Sequence, residues 1–215
     1  MRPWLVARHV HEFCNEACSD ASWHAPLTLL AGIASELSGE GPVVWIGRRC
    51  WPTFQAIRRE KEDARSGARH LFLDPLSDAE RLWGLLEAAR CPAVRVVVAD
   101  GGGMDRTAGR RLQLAAEKGN AVVLLARPPS DFAEPSWATT RWRVWPRPSL
   151  DVPRWNVAMV RAAGTGIGQD ASRQWVCSWT YEVFRGSGAL GLSAAVGRGT
   201  GTAAAPAGST RRQTA

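Results

Sequence analysis

Asp100 ends the apolar run VRVVVAD at 94–100 and is followed by a glycine loop, GGGMD. In nucleotide hydrolases a carboxylate at the end of a buried strand holds Mg²⁺ or positions water, so phosphoryl chemistry is the first to test. That chemistry also needs a loop of the form GxxxxGK[ST], whose amides and ammonium cradle the phosphates. No such run occurs in the 215 residues. The only lysines are Lys61, within REKED, and Lys118, behind Glu117 near a helix end. Asp100 therefore reads as a carboxylate that starts a turn.

Other reactive types fare no better. GTGIG at 164–168 lacks the third glycine spacing of a dinucleotide fingerprint and falls between two strand-like runs, so it reads as a hairpin loop. His9, His11, Cys14, Cys18 and His24 gather near the N-terminus without the paired ligand spacing of a structural zinc site. HEFCN is not HExxH, and Cys14 with His11 has no third group to orient a base. No catalytic residue, metal or cofactor is expected.

Arginine is what remains. Arg106, Arg110 and Arg111 open a helix-like segment, with Arg106 and Arg110 sharing a face at i, i+4. Arg141, Arg143, Arg147, Arg154 and Arg161 follow against one acid, Asp151, within 141–161. Strand alternation points Arg141 and Arg143 to one side and Trp142 to the other. The expectation is that Arg141, Arg143 and Arg147 are exposed together while Trp142 packs. These eight arginines are the candidate partner-binding residues; the bland alternative has them pairing with acids such as Asp131 or Glu134 and securing a loop.

Composition agrees with a binding role. The formal net charge is +7, and all but two of the 27 basic residues are arginine, which suits bidentate contacts and stacking better than lysine. That points to an anionic partner, or to a codon supply that favours arginine. Of eleven tryptophans, six lie beyond residue 136, and tryptophan is favoured at interfaces as well as in cores. Five scattered cysteines in a chain of this size read as reduced thiols. The longest apolar runs are too short to span a bilayer, and the opening MRPWLVARHVHEF has no long apolar stretch. A cytoplasmic protein with no membrane partner is expected.

The elements that must position these residues alternate. PLTLLAGIASEL at 26–37 reads as a helix with Leu27, Leu30, Ile33 and Leu37 on one face, followed by a buried strand, VVWIG, at 43–47. A helix is expected over 53–63 and a strand at LFLDP, 71–75. Ser77 with Glu80 forms a capping box for a helix to Ala89. VRVVVAD is the third strand, a helix spans about 107–118 with Gly119 as its stop, and AVVLLA at 121–126 is the fourth. This order predicts an α/β fold: a mostly parallel sheet with helices on both faces. RWRVWP, PRWNVAMVR and QWVCSW then predict antiparallel strands. The expected organisation is an N-terminal segment 1–24, an α/β domain 25–190, and a Gly/Ala/Arg tail 191–215 too poor in apolar residues to fold.

RRLQLAAEKG (110–119), LLARP (124–128), TTRWRVWPRPS (139–149) and PRWNVAMVR (153–161), taken as an ordered set, resemble the ImuA family. HEFCNE (11–16) and VVWIG (43–47) resemble its opening and its second core strand, so the likeness covers about 10–190. It implies a RecA-like fold and an accessory role in SOS mutagenesis, the DNA-damage response that uses error-prone translesion synthesis. The implied partners are the RecA filament, an ImuB-type inactive relative of Y-family polymerases, and an error-prone replicative-type DNA polymerase. The family's nucleotide loop would fall at about 14–25, where CNEACSDASWHA has neither glycine nor lysine. The resemblance thus implies a protein that is not an enzyme. Two alternatives stand beside it: a direct single-stranded DNA binder, and a SulA-like inhibitor of cell division.

Overall fold

Short runs of β-branched and aliphatic residues can bury both faces of a strand only between two layers of helix. VVWI, VVVAD and VVLLAR do this here. The computed structural model describes residues 5–16, 19–39, 41–57, 69–148, 150 and 153–163, with backbone alone at Gln55, 177–183 and 190–196. Nine strands form one sheet: β1 (Val10–Asn15), β2 (Val43–Ile46), β3 (His70–Leu73), β4 (Val96–Asp100), β5 (Val122–Arg127), β6 (Thr140–Arg147), β7 (Arg154–Ala162), β8 (Cys177–Val183) and β9 (Leu190–Val196). Their spatial order is β3-β2-β4-β5-β1-β6-β7-β8-β9. From β3 to β6 every pairing is parallel, and from β6 to β9 every pairing is antiparallel. The expected α/β architecture, with antiparallel strands added at the C-terminal side, is what the chain adopts.

Helix α1 (Leu27–Ser38) covers one face and α3 (Asp78–Arg90) with α4 (Arg106–Gly119) the other; α2 is described over Phe54–Ile57. The α1 layer buries Leu29, Leu30, Ile33 and Ala34 against Phe13, Trp45, Val98, Leu124 and Trp142. The buried arc is therefore shifted from the expected one, and Leu27 and Leu37 are only half buried at its margin. Opposite it, Leu85, Leu86, Leu112, Ala115 and Ala116 pack on Val44, Val97, Val123 and Leu125.

The Ser77 half of the capping box is present, and the Glu80 half is shifted by one residue. Ser77 accepts from the Glu80 amide at 3.2 Å, while the Glu80 carboxylate reaches back to the amide of Leu76. Asp105 caps α4 by accepting from the Ala108 amide at 2.7 Å. The stop of α4 differs from the expectation: the left-handed residue is Asn120, at φ 61°. Gly119 is the last helical residue and serves packing instead, since a Cβ there would lie 2.0 Å from the Ala89 carbonyl oxygen of α3.

No strand is expected before residue 25, yet β1 lies between β5 and β6 and every residue in it is buried. VHEFCN escaped notice because His11, Glu12 and Asn15 interrupt its apolar character. Burial of such groups needs partners: His11 meets Thr140 of β6 and the Val6 carbonyl, Glu12 meets Arg141 of β6 and Ser136, and Asn15 donates to the His24 carbonyl. The strand β9 reaches into the segment assigned to the tail; residues 197–215, the rest of the expected 53–63 helix beyond Ile57, and the GTGIG loop lie outside the described residues. Among the described residues, no helix is long and apolar enough to cross a membrane.

Candidate functional site

In open parallel sheets ligands gather at the carboxyl ends of the strands, and here that edge carries charged side chains of the chain that pair with one another. Asp100, nearly buried, accepts from the Gly102 amide at 2.8 Å and so starts the turn expected of it. Its other oxygen lies 3.5 Å from Arg81 and 3.7 Å from Arg49. The Arg49 guanidinium stacks 5.1 Å from the Trp23 ring centre. Trp23 packs so closely on the loop after β4 that a Cβ on Gly102 would meet it at 3.2 Å. An open hollow of about 400 Å³ beside Asp100 sets Arg48, Arg49 and Arg81 against Asp74, Asp78 and Asp100. Its charges balance, so it offers a phosphate no net attraction. Cys50 beneath it is fully buried, which pushes its thiol well above the ordinary range and away from nucleophilic use.

A buried polar network holds the neighbouring loop. Glu12 of β1 faces Arg141 of β6 across the parallel pairing, with Nε 2.7 Å from the carboxylate. Ser136 donates to the other carboxylate oxygen at 2.8 Å, and Arg127 lies 4.0 Å from it. Arg141 also donates to the Glu134 and Asp131 carbonyls and stacks 4.4 Å from the Phe132 ring centre. Arg127 donates to the Gly101 and Met104 carbonyls and lies 3.4 Å from Asp131. Arg161 donates to the Ser136 carbonyl at 2.5 Å. Arg141 and Arg161 thus tie the segment 127–138 to β6 and β7, and Arg127 ties it to the loop after β4.

On the other face of β1, His11 is neutral by design of its surroundings. Trp142 donates to Thr140 Oγ1 at 2.6 Å, and that hydroxyl lies 2.8 Å from His11 Nδ1. Nε2 lies 3.2 Å from the Val6 carbonyl, which can only accept. The network therefore assigns the proton to Nε2. Burial lowers the imidazole to about 4, against the upward pull of its bond to Val6.

The eight candidate arginines separate into groups. Arg106 and Arg110 are exposed on α4, and both lie over Trp137, at 5.5 and 5.1 Å from its ring centre. Arg111 is exposed but turns towards a different hollow, lined also by Asp78, Arg81 and Thr107. Arg143 is half exposed and pairs with Glu16 at 3.0 Å. It shares its face of the β6–β7 ribbon with Trp145, Arg147 and Arg154, the last two directly opposite one another. Arg161 is half buried in the loop clamp. Arg141 departs from the expectation of common exposure: Glu12 claims it, because β6 is flanked by β1 and β7 rather than lying at an edge. Trp142 packs as expected, fully buried and stacked on Phe13.

Trp137 is the residue that sequence reasoning passed over. It lies in a stretch read only as loop, and nothing in the spacing reveals that α4 runs beside it. The tryptophans as a set divide between the two readings offered for them. Trp45, Trp142 and Trp155 are buried, each with its N–H donating to a side chain, whereas Trp83 and Trp137 are exposed. Among the described residues no group of three histidine, cysteine or acidic side chains is placed to hold a metal. Cys18 lies outside them.

No protein-family model matches the chain. Among solved structures it is similar to SulA from Pseudomonas aeruginosa, at 26% identity and a TM-score of 0.42, over 55% of this chain and 97% of that one. Among curated proteins it is similar to Protein ImuA from two strains of Caulobacter vibrioides. Each is 32% identical over an alignment of 173 positions that covers 72% of this chain and 70% of the relative. At that identity and coverage the chain belongs to the ImuA family.

Proposed function

We propose that the chain is a non-catalytic adaptor in SOS mutagenesis, holding together components of error-prone translesion DNA synthesis. Its partners in this reading are the RecA filament, an ImuB-type inactive polymerase relative and an error-prone replicative-type polymerase. The observation that carries the non-catalytic part is the engagement of Asp100, whose carboxylate accepts from the Gly102 amide and faces Arg49 and Arg81. Family membership supports the mutagenic setting. In this reading the fold is a RecA-like scaffold working in the cytoplasm without its nucleotide site, and cationic surfaces do the binding. Arg106, Arg110 and Arg111 on α4, with Arg143, Arg147 and Arg154 on the β6–β7 ribbon, supply those surfaces, while Arg141 and Arg161 shape the loop between.

The test is genetic and biochemical together. Deleting the gene in its host lowers ultraviolet-induced mutation frequency without lowering growth in undamaged cells, and the purified chain retains the ImuB-type relative or RecA filaments in a pull-down. Unchanged mutation frequency in the deletion strain refutes the reading. Retention of oligothymidylate but none of these proteins replaces it with single-stranded DNA binding.

A further inference from the structure

Among the described residues, one exposed aromatic side chain lies beneath two guanidiniums that make no ion pair. Trp137 is 39% exposed, and the guanidiniums of Arg106 and Arg110 stand 5.5 and 5.1 Å from its ring centre. Among the described residues neither arginine has a carboxylate within ion-pair distance, in contrast to Arg48, Arg81, Arg90, Arg127, Arg141 and Arg143. One turn further along the same α4 face, at i+4 from Arg110, Leu114 is 56% exposed. Arginine, leucine and tryptophan in one stripe are an unusual use of surface. Stacking on an indole holds the two cations without neutralising them.

The ring is also held in place. Its neighbour Ser136 donates to Glu12, accepts from the Ala138 amide at 3.0 Å and offers its carbonyl to Arg161. Ala138 on the other side is buried in the α3–α4 layer. The backbone on both sides of Trp137 is therefore tied to the core, and a partner pays little ordering cost to meet the ring. Rigid tryptophan and arginine in such settings dominate binding energy.

We propose that Trp137, Arg106, Arg110 and Leu114 form a docking spot for an acidic segment of a partner protein that carries a large apolar side chain. The proposal rests on the adaptor reading and names the chemistry one of its surfaces takes. Charge complementarity selects the acids, because among the described residues neither guanidinium has a carboxylate within ion-pair distance. Trp137 and Leu114 select the apolar side chain, which removes both from water. A nucleic-acid strand is the weaker fit. Stacking successive bases requires a row of aromatic platforms along a cationic groove, and this stripe offers one ring followed by leucine.

The experiment uses the full chain and short fluorescein-labelled peptides, read by anisotropy. One peptide is rich in aspartate and glutamate around a leucine–phenylalanine pair, a second replaces that pair by serine, and a third replaces the acids by lysine. Labelled oligothymidylate is the nucleic-acid probe. The first peptide binds, more tightly at low salt, and the other two peptides bind at least about tenfold more weakly. Trp137→Ala and the pair Arg106→Ala with Arg110→Ala each weaken the first peptide by about tenfold or more, while Trp137→Phe retains part and Arg90→Ala changes nothing. Melting temperatures of the variants stay at the parent value, since the altered side chains are exposed.

Equal binding of the serine and leucine–phenylalanine peptides overturns the proposal, as does equal affinity in parent and Trp137→Ala. Oligothymidylate binding that falls with Trp137→Ala, with no peptide binding, overturns it in favour of nucleic acid. If no peptide binds while gene deletion still lowers induced mutation, the docking proposal falls and the adaptor reading stands. If deletion has no effect, the adaptor reading falls whatever the peptides do.

Discussion

Replacing Glu12 by glutamine removes a charge and keeps the shape. The Glu12 and Arg141 side chains are 5% and 9% exposed, with Nε 2.7 Å from the carboxylate, so water screens the pair little. At an effective dielectric of about 20, unit charges about 4 Å apart interact by ~4 kcal/mol. Removing one partner of a buried pair costs about 3–5 kcal/mol by experience. Arg141 keeps its bonds to the Glu134 and Asp131 carbonyls, which puts Glu12→Gln near the lower end, about 3 kcal/mol. For a chain of this size that is a fall in melting temperature of about 6–12 °C. Urea unfolding followed by circular dichroism measures the loss directly. The double variant Glu12→Leu with Arg141→Met recovers most of it, because replacing both charges leaves no buried ion unpaired. A loss below about 1 kcal/mol for Glu12→Gln, the worth of a surface pair, refutes the claim that this network holds the loop.

Three further outcomes follow from the same packing. His11 has a folded value of about 4 against an ordinary 6.5, so the unfolded chain binds more protons between them. Its contribution is complete above about pH 6.5 and is lost as pH falls towards 4, about 2–3 kcal/mol by about pH 4.5. Urea midpoints of the parent and His11→Gln converge over that window; parallel curves contradict it. Gly119→Ala gains helix propensity of about 1 kcal/mol but sets a methyl 2.0 Å from the Ala89 carbonyl and 2.8 Å from the Arg90 Cα. Backbone cannot yield cheaply there, so the clash wins, with a net loss of about 1–3 kcal/mol; an unchanged or raised urea midpoint contradicts this. Mg-ATP titrated into the chain gives no calorimetric heat of binding, and a dissociation constant in the low micromolar range overturns the reading of Asp100 as a turn carboxylate paired with Arg49 and Arg81.

Where a segment's burial is uniform, its own residues determine its structure. VVWI, VVVAD and VVLLAR have no polar face to show water, so they declare buried parallel strands without reference to neighbours. Ser77 with Glu80 declares a helix start for the same local reason, since the cap bonds close within four residues. The missing phosphate loop is equally a property of the linear chain. What tertiary structure alone decided is every feature whose partner is distant in sequence. VHEFCN is a strand because residues 122–127 and 140–147 flank it and supply partners for its histidine and glutamate. Arg141 leaves the surface because Glu12, 129 positions away, lies opposite. Trp137 becomes a presented side chain because α4 brings Arg106 and Arg110 beneath a loop that follows another strand. Alternation along one strand tells which side a residue faces. It does not tell what the fold has placed there, because that depends on the order of strands in the sheet, set by the burial of all of them together.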